Sequence, residues 1–210
     1  MAGIPDASKY DRPVVFVLDD DQQVRDALSS LLRSAGLQVI TFSSAEELLK
    51  TKASDSPSCL ILDLQLPGIS GLELQQMLAE MNGPPIVFIS GHGDIPTSVR
   101  AMKGGAVEFL SKPFDDQELL DSINAAIAQH QQSRQKRSEI ASLQRLYARL
   151  TPREREVLPL IVTGLTNKQS AAKLGIAEIT LQVHRGQIMR KMEAQSLPEL
   201  VRIATRLGQL

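Results

Sequence analysis

Three carboxylates, a serine and a lysine in this 210-residue chain have the types and spacing that phosphoryl chemistry calls for. Asp19 and Asp20 follow the apolar run Pro13-Val-Val-Phe-Val-Leu18. Asp63 follows Cys59-Leu-Ile-Leu62, Ser90-Gly91 follows Ile86-Val-Phe-Ile89, and Ser111-Lys112-Pro113 follows Val107-Glu-Phe-Leu110. Grouped carboxylates repel one another unless a cation shares their site. A hard divalent ion held by one or two carboxylates, a carbonyl and waters suits Mg²⁺, with Mn²⁺ acceptable to the same donors. A phosphate would complete that shell. Asp63 is then a nucleophile able to accept a phosphoryl group as an acyl phosphate. The Lys112 ammonium would offset charge on the equatorial oxygens, and Ser90 would donate a hydrogen bond.

A lone Asp after a strand more often caps the next helix than does chemistry. Capping does not call for an ordered set of Asp-Asp, Asp, Ser-Gly and Lys-Pro at four strand ends. His92, two residues beyond Ser90, reads as a solvated loop histidine on the rim of the cleft.

The positioning elements are legible around these residues. Continuous β-branched runs mark strands covered on both faces. Between them, Val24, Leu28, Leu31 and Leu32 mark a helical face, and a Ser44-x-x-Glu47 capping box opens a helix to Lys50. With a strand at 37–41 and helices at about 71–81 and 95–103, five βα units predict an α/β, doubly wound parallel sheet with helices on both faces. Ligands in such sheets gather at the carboxyl ends of the strands, which brings the separated acidic, Ser and Lys positions into one cleft. Met77, Met81 and Met102 fall at helical spacing beside Leu and Ala and read as core filler.

This set resembles the receiver domains of two-component response regulators. The segment Gly91-His-Gly-Asp-Ile-Pro-Thr-Ser-Val-Arg-Ala-Met-Lys-Gly-Gly-Ala-Val-Glu-Phe109 looks especially like the FixJ and StyR branch, of NarL-like build. The resemblance covers about residues 12–128 and implies a flavodoxin-like fold. It implies that Asp63 is the phosphoacceptor, that Asp20 is the principal acidic Mg²⁺ ligand and that Asp19 acts mostly through water. Gln65 would give its backbone carbonyl to the metal, Lys112 and Ser90 would contact phosphoryl oxygens, and Phe109 would occupy the aromatic switch position. It also implies a cis Lys112-Pro113 peptide, consistent with the low cost of cis before proline.

The net charge of −1 conceals an asymmetry. Residues 1–133 hold 9 Lys+Arg against 18 Asp+Glu, and residues 134–210 hold 14 against 6. A basic segment joined to an acidic one suggests a nucleic-acid partner for the former. From Asp115-x-x-Glu118 a helical pattern runs through Leu119, Ile123 and Ile127, then turns polar without Gly or Pro, which reads as a solvated long helical linker over 129–148. Ile140, Leu143, Tyr147 and Leu150 have heptad spacing that would pair two chains.

Thr151-Pro-Arg-Glu154 combines an N-cap, a Pro at the first helical position and a capping-box Glu. Gly164 stops that helix. Thr166-x-x-Gln169 opens a short helix ending at Leu174-Gly175, and a longer one runs over about 178–192. Two helices around a Gly-containing turn suggest a helix-turn-helix. Leu150-Thr-Pro-Arg-Glu-Arg-Glu-Val-Leu158, Gly164-Leu-Thr-Asn-Lys168, Leu174-Gly-Ile176 and Thr180-Leu-Gln-Val-His184 resemble the LuxR-type output domain, an all-α four-helix helix-turn-helix unit expected here over 149–210. The resemblance implies that Gln182, Val183 and Gly186 face base edges, while Lys168, Thr180, Arg185, Arg190 and Lys191 hold phosphates. Three departures stand out. Ser170 takes the place of a usual aliphatic core residue, and Ala177 replaces a usual Ser cap, a change worth about 1 kcal/mol. Gln182 and Gly186 replace basic residues found in some relatives.

The expectation is a transcriptional regulator, not an enzyme beyond its own phosphorylation from donors and its own dephosphorylation. A sensor histidine kinase would supply the phosphoryl group. The added charge of about −1.5 to −2 would shift Ser90 and Phe109 and promote a homodimer. That homodimer would bind double-stranded operator DNA, with RNA polymerase a further partner. Two other readings remain open: a phosphorylation-independent DNA-binding regulator using the receiver for dimerisation, and a Mg²⁺-dependent phosphohydrolase attacking from Asp19. No apolar stretch approaches the roughly 18 residues that span a bilayer, and the first residues carry no apolar signal core, so a cytoplasmic location and no membrane partner are expected. One cysteine, Cys59, forms no internal disulfide and reads as a small buried thiol.

Overall fold

The computed structural model describes residues 12–51, 56–91 and 94–208; His92 lies outside them. It divides into two compact units, Met1–Arg134 and Gln135–Leu210.

In the first unit, strands and helices alternate: β1 (Val14–Leu18), α1 (Gln22–Ser34), β2 (Gln38–Phe42), α2 (Ala45–Lys50), β3 (Ser58–Asp63), α3 (Gly71–Glu80), β4 (Ile86–Ser90), α4 (Ile95–Lys103), β5 (Glu108–Ser111) and the start of α5 (Asp116–Ala148), whose later residues belong to the second unit. The strands lie in the order β2-β1-β3-β4-β5, all pairings parallel. β1, β3 and β4 are buried along their whole length, as their unbroken apolar runs require. β2 sits at an edge and buries only Phe42.

The strand alternation feeds two cores. Phe16, Leu18, Leu60, Leu62 and Phe88 pack on one face with Leu74 and Leu78 of α3 and Ala101 of α4. Val15, Val17, Ile61, Val87 and Ile89 pack on the other with Leu28 and Leu32 of α1 and Leu119, Ile123 and Ile127 of α5. Each fully buried side chain of this size contributes roughly 2 kcal/mol, so the two layers hold the strand ends in fixed register. Cys59 is in the second core, and burial pushes its thiol up to about 12. The methionine expectation is corrected: Met77, Met81 and Met102 are 41%, 62% and 42% exposed. Leu74, Leu78 and Ala101 already occupy the inward stripes of α3 and α4, which leaves the methionines on the outer faces.

Local capping follows the sequence with one adjustment. Ser44 Oγ accepts from Glu47 N, but the Glu47 carboxylate reaches back to Ser43 N and Oγ, not to Ser44. α3 starts on a reciprocal Ser70/Glu73 capping box. α5 closes its contacts with β3 through buried His130, whose Nδ1 accepts from Ser58 N at 2.8 Å. Beyond it, residues 131–138 are exposed apart from half-buried Arg134, and the helix continues unbroken, as a polar stretch free of Gly and Pro allows.

The second unit contains α6 (Pro152–Val162), α7 (Asn167–Leu174), α8 (Glu178–Lys191) and α9 (Leu197–Arg206). Reciprocal capping boxes start α6 and α7, and Gly175, at φ +64, ends α7 in the left-handed conformation that glycine adopts without a side-chain penalty. Leu158, Leu181, Ile188, Met192 and Leu200 form the core. The heptad at the end of α5 serves that core: Leu150 is buried in it, Leu146 and Tyr147 pack against it, and Ile140 is exposed. A pairing seam between chains therefore lacks its last two members, because the same spacing already packs them within the unit.

Candidate functional site: an acidic cleft and an exposed helix face

Register places the chemistry. Leu18 of β1 pairs with Leu62 of β3, so Asp19 and Asp63 leave the sheet side by side. Ser90 pairs with Ser111, which sets Lys112 directly beyond β5, and Lys112 N donates to the Ser90 carbonyl at 2.7 Å. Lys112 is joined to Pro113 by a cis peptide. These strand ends open into a cleft of about 480 Å³ lined by Asp19, Asp20, Asp63, Gln65, Gly91 and Lys112, among others.

Within it, Lys112 Nζ lies 2.9 Å from Asp19 Oδ2 and 3.1 Å from Asp63 Oδ1. Asp63 Oδ2 accepts from Gln65 N at 3.0 Å, and Asp19 Oδ1 from Asp21 N at 2.9 Å. Burial is the largest influence on Asp63 and pushes its carboxyl above the ordinary value; the Lys112 charge and hydrogen bond work against it. Burial also disfavours the Lys112 charge, but the Asp19 hydrogen bond and the two carboxylate charges outweigh it and hold the ammonium above its usual range. Ser90 is 1% exposed, and Phe109 is half-buried with its ring 6.1 Å from that of Phe88.

Asp20 differs from its neighbours. Its side chain is exposed at the cleft and makes no hydrogen bond among the described residues. Among those residues no three His, Cys, Asp or Glu side chains converge as a closed metal cage would require. The donors fit Mg²⁺ nonetheless. That ion keeps several waters and asks the protein for only one or two carboxylates, which the uncommitted Asp20 and the cleft-facing Asp63 supply.

Two residues that support this site escaped the sequence reading. Arg25 of α1 is buried, and its Nη1 donates to the Asp19 carbonyl at 2.6 Å, with Nη2 on Gln22 Oε1. Gly71 opens α3 against Asp63: a Cβ there would lie 2.8 Å from the Asp63 carbonyl oxygen. The Ser70-x-x-Glu73 pattern was the available signal for the second. The first had none, because a buried arginine is recognisable only by what surrounds it.

In the second unit, α8 exposes one stripe, Ile179, Gln182, Val183, Gly186 and Arg190, and buries Leu181, Ile188 and the adjoining Met192. Thr180, and Lys168 on α7, are also exposed. Arg185 is half-buried, with Nη1 on Asn167 Oδ1 at 3.0 Å, which ties α8 to the start of α7. Lys191 is paired: its ammonium lies 2.9 and 2.7 Å from the two oxygens of buried Glu154, which holds α8 on α6. Ala177 caps α8 without a side-chain hydrogen bond, and Ser170 is 1% exposed with its hydroxyl unpartnered among the described residues.

Comparison with known proteins bears on both units. The family model for the response regulator receiver domain matches residues 15–124, and that for bacterial regulatory proteins of the luxR family matches residues 148–204. The chain is 52% identical over 198 residues to nodulation protein W of Bradyrhizobium diazoefficiens, covering 94% of this chain and 87% of that protein. It is 47% identical over 195 residues to the response regulator protein TodT of Pseudomonas putida, covering 92% and 86%. The solved structure of the response regulator StyR superposes with a TM-score of 0.82 at 48% identity, over 93% of this chain and 99% of that one.

Proposed function

The chain belongs to the two-component response regulators that join a receiver domain to a LuxR-type DNA-binding domain, and from that premise we propose that Asp63 is the phosphoacceptor whose modification controls operator binding through α8. The observation that carries this is the contact of one ammonium, Lys112 Nζ, with both Asp19 and Asp63 at the mouth of the cleft.

The donor is a phosphohistidine on a sensor kinase. An Asp63 carboxylate oxygen attacks phosphorus, the P–N bond breaks with its electron pair retained by the imidazole, and an acyl phosphate results. Bound Mg²⁺, held by Asp20, Asp63 and the Gln65 carbonyl with Asp19 acting through water, would offset charge on the phosphoryl oxygens. Lys112 turns from the Asp63 carboxylate to the new phosphoryl group, and the Ser90 hydroxyl donates to it. Phe109 follows Ser90 inward, since it pairs in register with Phe88, two residues before Ser90 on the same face of β4.

The added charge of about −1.5 to −2 thus reaches the outer surface of α4 and β5. That surface carries the apolar stripe Ile95, Val99 and Met102, with Ile95 80% exposed, which suits pairing of two receivers. Paired output units then present two copies of α8 to the major groove, with Gln182, Val183 and Gly186 toward bases and Lys168, Thr180, Arg185 and Arg190 toward phosphates. No helix among the described residues is long and apolar enough to cross a membrane.

Incubation with Mg²⁺ and acetyl phosphate, followed by intact mass measurement, tests the receiver chemistry. One phosphoryl group on the wild type and none on Asp63→Ala is the expected result. Incorporation that persists in Asp63→Ala would move the nucleophile elsewhere. No incorporation in the wild type would favour a regulator that works without phosphorylation.

A further inference from the structure

The exposed stripe of α8 carries two branched apolar side chains, Ile179 and Val183, and a single cation, Arg190. Ile179 is 67% exposed and Val183, one turn later on the same stripe, is 57% exposed. Nothing among the described residues of the unit buries them, and Lys168 of α7 and Arg190 in the last turn of α8 are also exposed to water. Gln182 adjoins both, three residues after Ile179. At Gly186, next along the stripe, a built Cβ would meet nothing within 4 Å, so the backbone there can approach a partner closely.

Two branched apolar side chains at the start of a helix whose exposed stripe ends in the cation Arg190 fit a polyanion that offers apolar groups at fixed places. The DNA major groove is such a surface: its apolar group is the thymine 5-methyl, while adenine presents the donor and acceptor pair that a glutamine amide matches. We propose that Ile179 and Val183 read thymine methyl groups and that Gln182 reads adenine, so that the operator half-site is A·T at the steps under the first two turns of α8. The inference rests on the DNA-binding reading of α8 and adds Ile179, which that reading did not include. Cytosine and uracil lack the methyl, so both lose the contact.

The test selects duplexes from a random pool with the full-length, acetyl-phosphate-treated protein, then measures affinity by fluorescence anisotropy on the enriched site. Replacing a contacted thymine by deoxyuridine removes one methyl and is expected to weaken wild-type binding about fourfold, the factor for one buried carbon. Ile179→Ala should weaken binding to the thymine duplex by a similar factor or more and become indifferent to deoxyuridine at one position. Val183→Ala should do the same at another, since paired contacts give non-additive cycles. Both side chains are largely in water, so neither change threatens the fold. If both variants bind and select like the wild type while Arg190→Ala weakens binding to every sequence, α8 docks but the methyls are not read, and the inference falls alone. If the wild type enriches no duplex, the DNA-binding reading falls and takes the inference with it.

Discussion

Arg25 Nη1 lies 2.6 Å from the carbonyl oxygen of Asp19, which makes a buried guanidinium of α1 the anchor of the turn that carries Asp19 and Asp20. Side chains that orient metal ligands from behind typically govern affinity by 10- to 100-fold. Arg25→Met keeps the apolar stem and removes the donor, so Mg²⁺ affinity should fall about tenfold. Calorimetric titration of the purified protein measures it; an unchanged dissociation constant would detach Arg25 from the site.

Asp63 gives a prediction whose sign depends on pH. Its folded pKa is raised above the ordinary 3.8, chiefly by burial, so the ionised carboxylate costs stability at neutral pH and costs nothing below the unfolded value. Asp63→Asn removes that cost while Lys112 keeps Asp19 at 2.9 Å. The melting temperature should therefore rise at pH 7. The gain should shrink to nothing as pH falls below 3.8. A variant less stable than wild type at pH 7 would mean that the Lys112 contact outweighs the burial.

Ser170 is 1% exposed and its hydroxyl has no partner among the described residues. An unsatisfied buried polar group costs about 1–3 kcal/mol, so Ser170→Ala should stabilise the second unit by about 1 kcal/mol, net of the small void. Urea unfolding of the full chain, followed by helical circular dichroism, reads this as a higher midpoint for that unit. A lower midpoint would show that the hydroxyl is satisfied.

Glu154 is the opposite case. Burial alone would raise its carboxyl, but hydrogen bonds from Lys191 and Thr151 hold it below the usual range. A depressed folded pKa contributes stability that is present above the unfolded value of 4.5 and is lost as pH falls through the folded one. Glu154→Gln should cost about 2 kcal/mol at pH 7, below the roughly 3–5 kcal/mol for breaking a fully buried pair because Lys191 is partly exposed. It should also flatten the acid limb of the second unit's stability curve. An unaltered acid limb would assign that loss to other groups.

Much of this was readable in the residues because a covered strand has to be apolar throughout. The runs ending at Asp19, Asp63 and Ser90 are therefore plain, and parallel order then forces their ends together. Capping boxes at Thr151 and Thr166 marked the second unit's helices equally well. What stayed hidden depends on distance in sequence or on a choice between faces. Glu154 and Lys191 meet across 37 residues only once α6 packs on α8, so Lys191 read as a free cation. Periodicity puts Met77 and Met81 on a helix without saying which stripe faces the sheet, and a heptad ending at Leu150 looks the same whether it packs a neighbouring chain or its own unit.

The central claim is that the phosphoryl group on Asp63 governs DNA binding by α8, and gel-shift titration of one enriched duplex tests it most directly. The account predicts that acetyl phosphate with Mg²⁺ raises the affinity of the wild-type chain at least tenfold, the lower range of linkage between two sites, and leaves Asp63→Ala unchanged. Equal affinity of the phosphorylated and unphosphorylated wild type for the same duplex would contradict it.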